Sequence, residues 1–183
     1  MCESNHLRAG HNVDGWSYSN PWNVHHALHN PKVEKPKKLV KPRLPFEPTP
    51  MKELDSLKRI VAPTEQDIIY DPGCGDGRLL IALCKDSGAK GVGFEINIEI
   101  AALAREKIKE AGLDRQITIW QVDSRLVNTS EATVSVMYLF PKLIKQLKFP
   151  NARLVVSYIH KIPDKVTTKI DDWYVHVPRK EIF

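Results

Sequence analysis

Asp71-Pro72-Gly73-Cys74-Gly75-Asp76-Gly77-Arg78 is the stretch that decides how this chain of 183 residues folds. Asp67-Ile68-Ile69-Tyr70-Asp71 leads into it as a short apolar run, which reads as a strand. Gly77 to Lys85 leads out of it with Leu79, Leu80, Leu83 and Cys84 at helical spacing. A strand, a glycine-rich turn and a helix in that order form the first half of a βαβ unit. Side-chain-free positions let backbone approach a ligand closely and accept φ values closed to other residues. In an open α/β sheet such a turn lies outside the carboxyl end of the strand, where ligands bind.

The same alternation continues outward. Gly91–Glu95 reads as strand 2, and Ile98–Ala111 as an amphipathic helix closed by Gly112. Ile117–Val122 reads as strand 3, Ala132–Phe140 as strand 4, Pro141–Leu147 as a short helix and Arg153–Ile159 as strand 5. Trp173–Val177 is expected to form an antiparallel edge hairpin with Lys165–Asp171. Upstream, Met51–Val61 carries helical spacing, with Thr49 expected as its N-cap and Pro50 at its first position. The fold class is therefore α/β, a Rossmann-like, open, mostly parallel sheet with an antiparallel edge at the C-terminus.

Residues 1–47 read differently, as an N-terminal arm or linker, with residues 48–183 forming the domain. The arm is Pro-rich and keeps neither helical nor strand period. The formal net charge is +5, and seven Lys or Arg against three acids before Phe46 put +4 of it in the arm. The Lys/Pro run from Lys32 to Pro48 reads first as an extended, solubilising linker. Its alternative role is a phosphate-type electrostatic contact to nucleic acid. His6, His11, His25, His26 and His29 lie in the arm with Cys2, Trp16 and Trp22, at spacings that match no zinc pattern, so no metal is expected.

Composition sets the outer bounds. Hydrophobic residues make up 42% and charged residues 27%, as in a soluble globular protein. No run approaches the ~20 apolar residues of a membrane span, so no membrane partner is expected. Met1–Gly10 has no apolar core of a secretory signal. Three cysteines without framework spacing point to a reducing, cytoplasmic setting.

The glycine spacing narrows the ligand. Gly73, Gly75 and Gly77 form G-x-G-x-G rather than the dinucleotide G-x-G-x-x-G, and no Lys-Ser or Lys-Thr follows to cradle a phosphate. Glu95 ends strand 2, 18 residues beyond Gly77. That is close to the ~20-residue offset at which an acid meets ribose hydroxyls. Asp123 follows strand 3 on the same rim, near where an adenine would lie. The set reads as a site for an adenosine-containing ligand that no pyrophosphate defines. The bland readings are a plain tight turn, a loop cap at Asp76 and a loop cap at Asp123.

These residues resemble class I methyltransferases that use S-adenosylmethionine. More narrowly, Pro48-Thr49-Pro50, Gly75-Asp76-Gly77-Arg78, Glu95-Ile96-Asn97, Glu131-Ala132-Thr133-Val134, Tyr138-Leu139-Phe140-Pro141 and Val155-Val156-Ser157 resemble the small archaeal protein-lysine methyltransferases and their mitochondrial relatives acting on the ATP synthase c subunit. The resemblance covers about residues 45–178. It implies S-adenosyl-L-methionine as cofactor. It gives the backbone of Gly73, Gly75 and Gly77 to the methionine part, Asp71 to the loop and the amino group, and Glu95 to the ribose. It further implies Asn97 as a cofactor residue, Asp123 near adenine, and Thr49 near the cofactor carboxylate. Tyr138 to Pro141 would border the methyl-transfer channel. On chemical grounds a tyrosine hydroxyl or a backbone carbonyl there could orient the acceptor amine, which makes Tyr138 the candidate catalytic residue. Pro72 departs from the family, which usually has Leu or Val there.

The expected function is a protein-lysine N-methyltransferase whose partner is a protein lysine side chain. The alternatives are a nucleic-acid or small-molecule methyltransferase aided by the basic arm, and a non-catalytic assembly module on the same fold. The Asn/Asp-Pro-Pro-aromatic motif of amino-methylating DNA enzymes is absent, its place being taken by Tyr138-Leu139-Phe140-Pro141.

Overall fold

The structure is a computed structural model, and it describes residues 46–178. The expectations for residues 1–45 lie outside the described residues. Among the described residues seven strands form one sheet: β1 (Ile68–Pro72), β2 (Lys90–Glu95), β3 (Ile117–Gln121), β4 (Val134–Met137), β5 (Leu154–Tyr158), β6 (Thr168–Ile170) and β7 (Trp173–His176). Their order is β3-β2-β1-β4-β5-β7-β6. The first five run parallel, and β7 lies antiparallel to both β5 and β6. The expected C-terminal hairpin is present, with β6 as the edge.

Helices α1 (Leu54–Val61), α2 (Arg78–Cys84) and α3 (Ile98–Glu110) pack with one face of this sheet. Alternation along the strands assigns the faces. Ile69, Val134, Val136, Leu154, Val156, Trp173 and Val175 join the helices in one core. Tyr70, Val92 and Phe94 point the other way into a second cluster, and Met137 and Val155 into a third. The opposite face is covered by α4 (Pro141–Ile144) and connecting segments rather than by long helices. As expected for central parallel strands, β4 is buried along its whole length, and β1 along all but its first residue. No described helix is long and apolar enough to cross a membrane.

Three local expectations are corrected. Thr49 does not cap the first helix. Pro50 stays extended, and the chain enters α1 through a 3-10 turn, Met51–Glu53, whose Glu53 N–H donates to the Pro50 carbonyl. Strand β4 stops at Met137, because Tyr138 to Phe140 leave the sheet for the surface. The short helix after it ends at Ile144 rather than Leu147.

The ends of the strands opposite the glycine turn are tied by Asp67. Its buried carboxylate accepts from the Thr64 backbone at 2.9 Å, the Thr133 hydroxyl at 2.8 Å, and Arg153 Nε and Nη2 at 3.0 and 2.8 Å. It thereby joins the entries to β1, β4 and β5. Burial raises the carboxyl's proton affinity, but Arg153, Thr64 and Thr133 together hold its pKa down to about 2. A depressed carboxylate stabilises the fold above the ordinary carboxylate range of ~4 and loses that effect as pH falls towards 2. Asp67→Ala is expected to cost about 2–3 kcal/mol at pH 7, read as a lower urea midpoint with unchanged slope. The gap between variant and wild type should close between pH 4 and pH 2.

Candidate cofactor and acceptor site

The glycine turn sits where the strand order reverses, between β1 and its neighbours β2 and β4. Pro72 ends β1 opposite Phe94, and having no N–H it leaves the next ladder bond to the turn. The Phe94 carbonyl accepts from both Gly73 N–H, at 2.7 Å, and Cys74 N–H, at 3.0 Å. This folds the turn across the end of β2. Gly73 (φ +97°) and Gly75 (φ +54°) are both left-handed. A Cβ on Gly73 would lie 2.6 Å from Leu139 Cδ2, and one on Gly75 would run into Phe46 Cε2. The left-handed backbone strains any side chain here, and Leu139 and Phe46 would have to move to admit one. Gly77 ends the turn as the residue before α2.

Glu95 closes the turn from the β2 side. Its carboxylate accepts from Gly75 N–H at 3.2 Å and from Asn97 N–H at 2.8 Å. Asn97 in turn caps α3, its Oδ1 accepting from Glu99 N–H at 2.9 Å. Asp123 precedes a 3-10 turn, Ser124–Leu126, caps it through Arg125 N–H, and forms a bidentate pair with the Arg125 guanidinium. That pairing, against a smaller opposing effect of burial, lowers its pKa. Glu95, Asn97 and Asp123 thus line the same strand-end rim that carries the turn.

Asp76, 2% exposed, has a structural partnership. It receives Arg78 Nη2 at 2.7 Å and Lys107 Nζ at 2.6 Å. Burial opposes ionisation, but the two cations hold its pKa at about 2. Arg78 also donates to the Thr49 carbonyl at 2.8 Å, which fixes the Pro48-Thr49-Pro50 segment beside the turn. Thr49 itself is 3% exposed.

Asp71 is different. It is 1% exposed, and neither carboxylate oxygen has a hydrogen-bond partner among the described residues. Burial first, then the charges of Glu95 and Asp76, push its pKa well above the carboxylate range. An unpaired buried carboxylate beside a glycine cradle fits a ligand that carries a cationic amino group. With Glu95 available to hydroxyls, the residues fit S-adenosylmethionine.

The ends of β4 and β5 build a second feature, an aromatic mouth. Tyr138 meets Tyr158 edge-to-face at 5.0 Å, and His160 lies 6.2 Å from Tyr138 and 5.5 Å from Phe140. Phe140 is 51% exposed, so it is not core. Burial raises the Tyr138 pKa, and the nearby Glu47 carboxylate adds to the rise. Burial also raises that of Tyr158, with Glu53, Asp172 and Glu47 contributing negative potential. His160 is aimed by a strained turn. Ile159 sits at φ +60°, its N–H donating to the Asp172 carbonyl, while His160 N–H reaches back to the Tyr158 carbonyl at 2.6 Å.

Sequence reasoning singled out Tyr138 but not Phe46, Glu47, Tyr158 or His160, which the structure places around the same rim. The available signal for the last two was their place at the C-terminal end of an apolar strand.

The glycine cradle, the acid after β2 and the aromatic mouth on a sheet of this order define a class I S-adenosylmethionine-dependent methyltransferase. A family model described as the ANTKMT methyltransferase domain matches residues 71–169, and the chain belongs to that family. A protein-lysine N-methyltransferase of Saccharolobus islandicus (strain REY15A) is 39% identical over 123 residues, 62% of this chain and 76% of the relative. An RNA methyltransferase from Salinibacter ruber, solved with S-adenosyl-L-homocysteine, is 32% identical with a TM-score of 0.63, covering 73% of this chain and 95% of that one. The type II methyltransferase M.HpaI of Haemophilus parainfluenzae is 31% identical over 104 residues, 56% of this chain but only 30% of its own length.

The buried carboxyl of Asp71 sets a stability prediction. A carboxyl whose folded pKa is raised makes the fold less stable as pH climbs from the unfolded carboxylate range through the folded value. Without cofactor, Asp71→Asn should therefore melt above wild type at pH 7, and the advantage should shrink towards pH 4. Equal melting temperatures at pH 7 would show that the carboxylate is compensated.

Proposed function

We propose that this enzyme transfers a methyl group from S-adenosylmethionine to the ε-amino group of lysine in a protein. The observation that carries the choice of acceptor is the aromatic mouth with carboxylates behind it, Tyr138, Phe140, Tyr158 and His160 with Glu47. Aromatic faces and carboxylates attract an ammonium on a long apolar stem. The 39%-identical archaeal relative, named as a protein-lysine N-methyltransferase, supports the same acceptor.

In this reading Asp71 takes the cofactor's amino group, and Gly73, Gly75 and Gly77 admit its methionine part. Glu95 takes the ribose hydroxyls, with Asn97 and Asp123 beside it on the adenine side. Thr49, held by Arg78, shapes the wall near the carboxylate end. The cofactor, when bound, supplies a methyl group already activated by a sulfonium charge. The chain's work is then alignment and exclusion of water. Tyr138 and Phe140 wall the acceptor, and the Tyr138 hydroxyl orients the amine. A lysine must shed its proton to attack, and desolvation in the mouth favours the neutral amine, against the carboxylates that draw the ammonium in.

A second reading, an RNA acceptor, is favoured by the 32% identity to the Salinibacter ruber enzyme, of which this chain covers 95%. Side-by-side assays separate the two, with labelled S-adenosylmethionine offered to a mixed protein pool and to total RNA. Incorporation into protein but not RNA is expected, and the reverse would overturn the lysine reading. Glu95→Ala should weaken cofactor binding at least tenfold by calorimetry, since a carboxylate–hydroxyl bond contributes about 1.5–3 kcal/mol. Tyr138→Phe should leave cofactor affinity unchanged and lower kcat several-fold.

A further inference from the structure

Two glutamates bear on the paired tyrosines of the mouth, and the fold treats them differently. Glu47 is the charge that acts on Tyr138, and it is itself exposed. After burial, the charge that bears most on Tyr158 is Glu53, ahead of Asp172 and Glu47. The Glu53 side chain is only 12% exposed. It closes the 3-10 turn that enters α1, yet it makes no cap bond to that helix. Among the described residues its one ion-pair partner is Lys52, with Nζ at 3.8 Å and a side chain 81% exposed.

The helix turn explains where Glu53 points. Ser56, three residues on and on the same face, donates to the Asp171 carboxylate in the turn between β6 and β7. The Asp172 carbonyl next to it accepts the Ile159 N–H, directly after Tyr158. That face of the turn therefore packs against the end of β5, and Tyr158 meets Tyr138 across the mouth. Glu53 is the sheltered carboxylate of the mouth, and Glu47 the exposed one.

Shelter decides which of the two matters more. An exposed ion pair contributes little, whereas the same pair partly withdrawn from water is stronger. A largely buried carboxylate with one loose partner is left with an incomplete counter-charge. A primary ammonium on an apolar stem supplies the missing charge, and the tyrosine faces suit the stem and the cation alike. Lys52 shows that an ammonium can approach this carboxylate from the solvent side, loosely enough to be displaced. A phosphate chain would bring charge of the same sign.

We propose that Glu53 is the residue that selects a lysine side chain as acceptor, its carboxylate drawing the ammonium in beside Tyr158 in place of Lys52. The inference rests on the lysine reading above and adds the residue that sets acceptor specificity. Glu53 acts in capture of the acceptor, so its loss should appear in KM rather than in kcat.

The test compares the full-length wild type with Glu53→Gln, using labelled S-adenosylmethionine and the mixed protein pool as acceptor. The variant should raise the KM for the pool about tenfold, keep kcat within about twofold and bind cofactor as wild type does. An unchanged KM, or a fall in kcat or cofactor affinity without a change in KM, would overturn the assignment. Two inhibitors separate charge from packing: Nα-acetyl-lysine amide and its norleucine counterpart, which has an apolar chain without the ammonium. Wild type should be inhibited by the lysine compound at about tenfold lower concentration, and E53Q equally by both. No preference in wild type, or a preference kept in E53Q, would overturn the role of Glu53 while leaving lysine as acceptor. Should the wild type label RNA and no protein, the lysine reading falls and the role of Glu53 with it.

Discussion

One carbonyl organises this site. Phe94, near the end of β2, accepts from two successive N–H groups of the glycine turn, Gly73 and Cys74, and so bends the chain leaving β1 over the neighbouring strand. The register Asp71 opposite Gly93 and Pro72 opposite Phe94 makes this geometry available. The bend brings Gly75 N–H to Glu95 and leaves Asp71 sealed beneath. Pro72 suits the arrangement, because the donor it lacks is supplied by the two residues after it. A residue with a side chain at Gly73 or Gly75 would have to adopt a left-handed backbone under the close cover of Leu139 and Phe46.

Charge is arranged in two styles around that turn. Asp76 is buried and fully answered, by Arg78 and Lys107, and through Arg78 it also anchors the Thr49 segment. Asp71 is buried and unanswered among the described residues. The first builds the loop, and the second, in our reading, waits for a cation. The two acids stand five residues apart in one motif and differ by partner rather than by position. Ile159, at φ +60° with its N–H held by the Asp172 carbonyl, places His160 beside Tyr138 and Phe140.

The strand, glycine turn and helix were legible because each leaves a local mark in apolar run, spacing and cap. Glu95 was legible because its offset from the turn is set by one βαβ unit. The parallel order and the C-terminal hairpin followed from alternation. What escaped depends on contacts distant in sequence. Thr49 looked like a helix cap, yet a proline-led 3-10 turn and the reach of Arg78 gave it another place. Tyr158 and His160 looked like the tail of a buried strand, and only the pairing of β5 with β4 brings them to Tyr138 and Phe140. Phe46 and Glu47 stood at the edge of a basic, proline-rich run whose pattern gave no hint of contact with the glycine turn or Tyr138.

The central claim, that the acceptor is a lysine amine, is tested most directly by the chemical identity of the methylated product. Cell extract labelled by the enzyme with S-adenosylmethionine carrying a tritiated methyl group would be hydrolysed completely and separated into amino acids and nucleosides. The account predicts that label migrates as Nε-methylated lysine and is absent when Glu95→Ala replaces wild type. Label migrating as a methylated nucleoside would contradict it.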